Sequence, residues 1–224
     1  MSKIVFACIS PHPPIILPDV GSPEDRARVK KTISALEELG KKLKEKNPDK
    51  TIISSPHSDW GFNVPLFFLA PDFKGEIKTY LTGLESSQFY FEEGKKFYNT
   101  LNKDKKYALI ASGDLSHYLK EDGPYGFNPD GPKFDKALIE ALEKRDIETI
   151  LKLDEAYPEA GECGLRSFCF LLGILEESKI HPVKSRKAGI PVKTGLFNGV
   201  NYQPEILSYE GPFGVGYLVV NFRL

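Results

Sequence analysis

Cysteine is nearly absent from this chain of 224 residues, which has only Cys8, Cys163 and Cys169. So sparse and odd a set argues against a disulfide framework and points to a reducing, cytoplasmic setting. Charge excess is missing too: 30 Lys and Arg against 31 Asp and Glu leave a formal charge of −1, with no electrostatic footprint for nucleic acid or an anionic membrane. No run of about 18 apolar residues exists, so no membrane span is expected. The apolar N-terminal stretch is broken by prolines and a histidine, so no signal peptide is expected either. Also lacking are a Gly-x-Ser-x-Gly elbow, a Gly-rich phosphate loop, and His-Glu-x-x-His or Cys-x-x-Cys motifs. Their absence weakens the common hydrolase, nucleotide-binding and zinc-ribbon readings.

What is present suits a globular fold: 41% hydrophobic residues in 25.1 kDa can bury a substantial core. With no repeat and no linker, residues 1–224 read as one domain. Ile4–Ser10, Thr51–Ser55 and Tyr107–Ser112 are compact apolar runs, each closed by Pro or Gly, and read as buried strands. Between the first two, Ser22-Pro23-Glu24-Asp25 signals a helix start, and Val29, Ile33, Leu36, Leu39 and Leu43 follow at helical spacing. Its polar face, including the Lys and Glu residues of positions 37–46, reads as solvated. Strand, helix, strand predicts a right-handed parallel βαβ unit.

Val64–Leu69 reads as a further strand, Ser87–Leu101, Pro132–Arg145 and Asp146–Leu153 as helices, and Gly164–Glu177 as a buried helix. Lys193–Phe197, Glu205–Tyr209 and Gly214–Phe222 read as late strands. The expected fold is α/β, with a central, mostly parallel or mixed sheet flanked by helices on both faces.

Histidine is the scarcest polar residue that matters, with four in the chain. Three of them follow the three clearest strands: His12 in Ser10-Pro11-His12-Pro13-Pro14, His57 in Ser55-Pro56-His57-Ser58-Asp59, and His117 in Gly113-Asp114-Leu115-Ser116-His117. Ligands of open α/β sheets bind outside the carboxyl ends of the strands. Parallel strands about 4.8 Å apart would therefore bring the three imidazoles to one edge, within reach of one ion. The flanking prolines stiffen the loops carrying His12 and His57. His181 follows no long apolar run and reads as structural.

Two imidazoles and a carboxylate with open positions suit non-haem Fe(II). Two or three His with a carboxylate or thiolate suit catalytic zinc equally. Candidates for the remaining ligand are Asp59, Asp114, Glu159, Glu162 and Cys163. Glu162 and Cys163 lie where a loop enters an apolar helix, and adjacent helical residues diverge by about 100°, so one of the pair faces the site. Equally, Glu162 there can be a residue favoured by the helix dipole, with Cys163 as a small core residue. Trp60, Phe62, Tyr118, Tyr125 and Phe127, just beyond two of the histidines, can wall a pocket for a flat substrate or, equally, pack their own loops.

The ordered set Ser10-Pro11-His12-Pro13-Pro14, Ser55-Pro56-His57-Ser58, Gly113-Asp114-Leu115-Ser116-His117, Glu162-Cys163-Gly164-Leu165-Arg166 and Tyr209-Glu210-Gly211-Pro212-Phe213-Gly214 resembles the class III extradiol ring-cleavage dioxygenases, the LigB family. Within it the chain is most similar to the LigB-like proteins associated with the AmmeMemoRadiSam system, to which the Memo proteins are related. The resemblance implies a metal held by His12, His57 and Glu162, with His117 as the acid/base histidine. It also implies Fe(II) as the metal, with Zn(II) or Cu as alternatives, and a catechol-type aromatic and O2 as substrates. A homodimer is expected by analogy. The Glu162-Cys163 surroundings also resemble the Memo pattern, in which the cysteine binds metal.

Three metal-dependent readings follow: an extradiol dioxygenase, a Memo-like metal-binding or redox factor with Cys163 as ligand, and a zinc hydrolase using the same histidines. A plain α/β interaction domain is the reading without a metal.

Overall fold

The computed structural model describes residues 3–179 and 202–224. The expected strand Lys193–Phe197 and His181 lie outside them. The described residues form an α/β fold around one six-stranded mixed sheet. Its strands are β1 (Lys3–Ser10), β2 (Lys50–Ser55), β3 (Glu76–Leu81), β4 (Lys106–Ser112), β5 (Gln203–Glu210) and β6 (Tyr217–Arg223), in the order β3-β2-β4-β1-β6-β5. β1, β2, β3 and β4 are mutually parallel, whereas β6 runs antiparallel to both β1 and β5. The three strands that precede the histidines are therefore adjacent, with β4 between β2 and β1.

Each parallel strand is returned by helices that cover one of the two sheet faces. α1 (Pro23–Arg28), α2 (Lys30–Lys46) and α3 (Trp60–Leu69) cover one face, where Leu36, Leu39 and Val64 pack on Cys8, Ile53 and Ile110. On the other face α4 (Ser87–Asn99), α5 (Asp130–Lys144), the single turns α6 (Ile147–Ile150) and α7 (Leu153–Ala156), and α8 (Leu165–Lys179) pack on Ile9, Ile52 and Leu109. Period-two alternation assigns each residue of β4 to a face: Leu109 to one, Ala108 and Ile110 to the other. β1 switches alternation at an irregularity between Ile4 and Phe6, so Ile4 joins Ala7 and Ile9 rather than Phe6 and Cys8. No described helix is long and apolar enough to cross a membrane.

Ser22 starts α1 as expected, in a reciprocal capping box. Its hydroxyl accepts from the Asp25 amide at 3.0 Å, and the Asp25 carboxylate accepts from the Ser22 amide at 3.3 Å. The single helix expected from there through Leu43 is broken at Val29, whose backbone leaves helical geometry while its side chain is fully buried. The expected Asp146–Leu153 helix is likewise two single turns.

Val64–Leu69 is not a strand. It is the second half of α3, a helix apolar on nearly every side, and a short continuous apolar run fits either state by pattern alone. β3 was not anticipated. It is an edge strand almost wholly exposed, so no buried face imprints a pattern on it.

α4 and α8 cross so closely that their backbones touch at glycines. A Cβ on Gly173 would stand 2.0 Å from the Phe91 carbonyl oxygen and 3.2 Å from the Cα of Gly94. Substituting Gly173→Ala should therefore destabilise the fold by about 2–3 kcal/mol through forced separation of the helices, read as a lower midpoint in urea unfolding. A loss under about 0.5 kcal/mol would show that the helices can slide apart freely.

Candidate metal centre

The three strand-end histidines do reach one edge of the sheet, and two of them meet. The His12 and His57 rings stand edge to face with centroids 5.2 Å apart. Cys163, in the turn leading into α8, completes the group: ligand atoms of His12, His57 and Cys163 all lie within 4.8 Å of one another. The Cys163 sulfur is 3.5 Å from His12 Nε2.

His12 is held at both its backbone and its ring. Its amide donates to the Asp114 carboxylate at 2.9 Å, and its Nδ1 lies 2.9 Å from Ser112 Oγ. The Ser112 hydroxyl proton is already committed to the Gly61 carbonyl oxygen at 2.5 Å. Ser112 Oγ must then accept from Nδ1–H, which leaves the lone pair on Nε2, facing Cys163. The Gly61 carbonyl is free for this bond because of Pro65, four residues on inside α3. Proline has no N–H with which to continue the helical ladder back to Gly61. Burial, with a smaller push from His57, drives the His12 imidazolium down to about 3, so the ring is neutral, as a metal ligand must be.

His117 sits beside the group without joining it. Its amide donates to the Gly161 carbonyl, its Nε2 is buried with no hydrogen-bond partner among the described residues, and Tyr125 stacks on its ring at 5.1 Å. Burial lowers its basicity. Asp114 opposes that shift, while His12 and His57 add to it, so all four groups share one electrostatic neighbourhood.

Glu162 is directed elsewhere. One carboxylate oxygen accepts from the Leu165 amide at 2.7 Å at the start of α8, and the other from Arg166 at 3.2 Å. Of the other candidates, Asp59 and Glu159 are exposed. Asp114 is buried and carries the His12 amide, and burial lifts its carboxyl to about 6. The Cys163 thiol is pushed well up by burial, so the sulfur would have to lose its proton on ligating an ion. The donor set of two imidazoles and a sulfur fits a first-row divalent metal. Trp60, tilted against His57 at 5.8 Å, and Tyr125, stacked on His117, are both exposed.

Three supporting residues had no sequence motif: Ser112, Pro65 and Asp135. For two of them a faint signal existed, a serine closing an otherwise apolar strand and a proline inside an apolar run. Asp135 on α5 accepts from the Ser116 amide at 2.9 Å and the Tyr209 hydroxyl at 2.6 Å, and so fixes the turn that carries His117.

A model of the family "Catalytic LigB subunit of aromatic ring-opening dioxygenase" matches residues 53–219. That span takes in His57, His117, Glu162 and Cys163 but begins after His12, whose placement therefore rests on geometry. Protein CA_C1420 of Clostridium acetobutylicum is 30% identical, with 95% of this chain and 56% of that protein covered. The chain thus spans about half the length of that relative. The crystal structure of the uncharacterized protein JW3007 from Escherichia coli K12 has a TM-score of 0.60 at 15% identity, covering 98% of this chain and all of that one, a likeness of fold.

Burial outweighs both hydrogen bonds to Asp135 and lifts its carboxyl to about 7. Through the window from about 4 to 7 the folded chain keeps a proton that the unfolded chain releases, so Asp135 costs stability as pH rises through it. Relative to Asp135→Asn, the wild type should lose on the order of 3 kcal/mol between those limits, measured as urea unfolding free energy against pH. Parallel curves for the two proteins would contradict the assignment.

Proposed function

The chain belongs to the family of the catalytic LigB subunit of aromatic ring-opening dioxygenases, and from that premise we propose that residues 1–224 form one LigB-like domain that opens a catechol-type ring with O2 at a non-haem Fe(II). The observation that carries this reading is the convergence of His12, His57 and Cys163 at the carboxyl edge of adjacent parallel strands. These three residues would hold the metal, with Cys163 preferred over Glu162 because both oxygens of Glu162 are already engaged. When bound, the metal supplies a meeting point for diol and O2 and a path for electrons between them.

The chain's own residues do the rest. His12 presents a neutral Nε2 because Ser112 occupies Nδ1. His117 offers a buried Nε2 that has no partner among the described residues. It would take a proton from a substrate hydroxyl and later return it, the role of a general base and acid whose basicity is set by burial against Asp114. Trp60 and Tyr125 provide flat walls for an aromatic ring.

The presence of Cys163 rather than Glu162 in the ligand group favours one second reading, a Memo-like metal-binding or redox factor that keeps the site without the ring-opening chemistry. The zinc hydrolase reading uses the same histidines and gains no separate support.

The two readings separate in one set of measurements. After anaerobic Fe(II) loading, O2 uptake with a panel of catechols should be metal-dependent, and His117→Ala should lower it by about 10²-fold or more while binding metal normally. Cys163→Ser should weaken metal binding at least tenfold, whereas Glu162→Gln should retain metal and lose only thermal stability. Iron bound without O2 uptake across the panel would favour the second reading. Metal retained in His12→Ala and His57→Ala would remove the site altogether.

A further inference from the structure

A cavity of about 840 Å³ lies along the outer groove between α2 and α3 and is closed by the 70–75 loop. None of His12, His57, His117 or Cys163 lines it. Its volume is that of a small-molecule site.

Its lining is charged with one sign in excess. Arg26, Lys41, Lys44 and Lys74 face Glu37 and Asp72, and the only ion pair between them among the described residues joins Lys44 to Asp72 at 3.8 Å. Arg26 is the informative member. Its side chain is partly buried, its Nε is fully buried, and no hydrogen bond or ion pair satisfies it among the described residues. A buried guanidinium nitrogen left without a partner is costly, and an anion is the group the fork of donors fits. Phe67 of α3, 48% exposed, lines the same groove and, with Phe73, offers an apolar wall.

We propose that this groove is a second ligand site, for a small organic anion whose single acidic head pairs with Arg26 and whose apolar body lies over Phe67 and Phe73. The excess of cations selects the charge, and the aromatic wall and bounded volume select a compact amphipathic molecule. The site is independent of the metal edge and of the reaction assigned there.

Sodium decanoate is a suitable probe, titrated by calorimetry into the full chain, with 1-decanol as its uncharged counterpart. The expected result is saturable one-to-one binding of decanoate and binding of decanol at least tenfold weaker. Arg26→Gln and the exposed-site variant Phe67→Ser should each weaken decanoate at least tenfold with unchanged circular dichroism, and His12→Ala should bind as the wild type does. Absence of saturable binding, equal affinity for decanol, or an unaltered Arg26→Gln would overturn the proposal. So would loss in His12→Ala with Arg26→Gln unaffected, which would move the ligand to the metal edge. Binding of an acidic amphipathic peptide in place of decanoate would make the groove a protein surface and equally reject a small anion.

Discussion

The centre rests on the buried carboxylate of Asp114 and the backbone around it. The carboxylate holds the His12 amide, and the same residue's carbonyl accepts from the Gly164 amide at 3.0 Å. Three segments far apart in sequence, at positions 12, 114 and 164, are thereby tied at one point. The approach is close enough that a Cβ on Gly113 would stand 2.1 Å from the Cα of Gly164. A buried polar group left without partners is expensive. Asp114 therefore enforces the meeting of these loops as strictly as the hydrophobic core enforces the sheet.

Around this point the turn after β4 has little freedom. The Leu115 amide donates to Gly216, Ser116 to Asp135, His117 to Gly161 and Leu119 to Gly214. His117 thus sits on irregular backbone fixed by residues from α5, the 160–164 turn and the approach to β6, the kind of support that holds a reactive side chain in place. The chain of Pro65, Gly61, Ser112 and His12 works the same way. A proline that breaks a local rule of helices releases one carbonyl, and that carbonyl, through a serine, decides which nitrogen of His12 faces the thiol.

The molecule is thereby divided into regions under different demands. The carboxyl edge of the sheet gathers buried polar groups about His12, His57 and Cys163. The outer groove of α2 and α3 sets an excess of cations on the lining it shares with the exposed Phe67.

Much of this was legible in the residues. β1, β2 and β4 announced themselves because strands buried on both faces read as continuous apolar runs, and α2 because one stripe of it is buried. Once those strands are parallel neighbours, His12, His57 and His117 must emerge at one edge, so the edge itself was determined by sequence. The identity of α3 was not, since a short apolar run bounded by Gly and Pro suits either period. β3 was invisible because exposure on both faces erases patterning. Tertiary structure alone decided which way Glu162 and Cys163 face. Adjacent residues share every one-dimensional property of their position, and only the docking of Asp114 against the start of α8 turns the sulfur toward His12 and the carboxylate toward its own helix and Arg166.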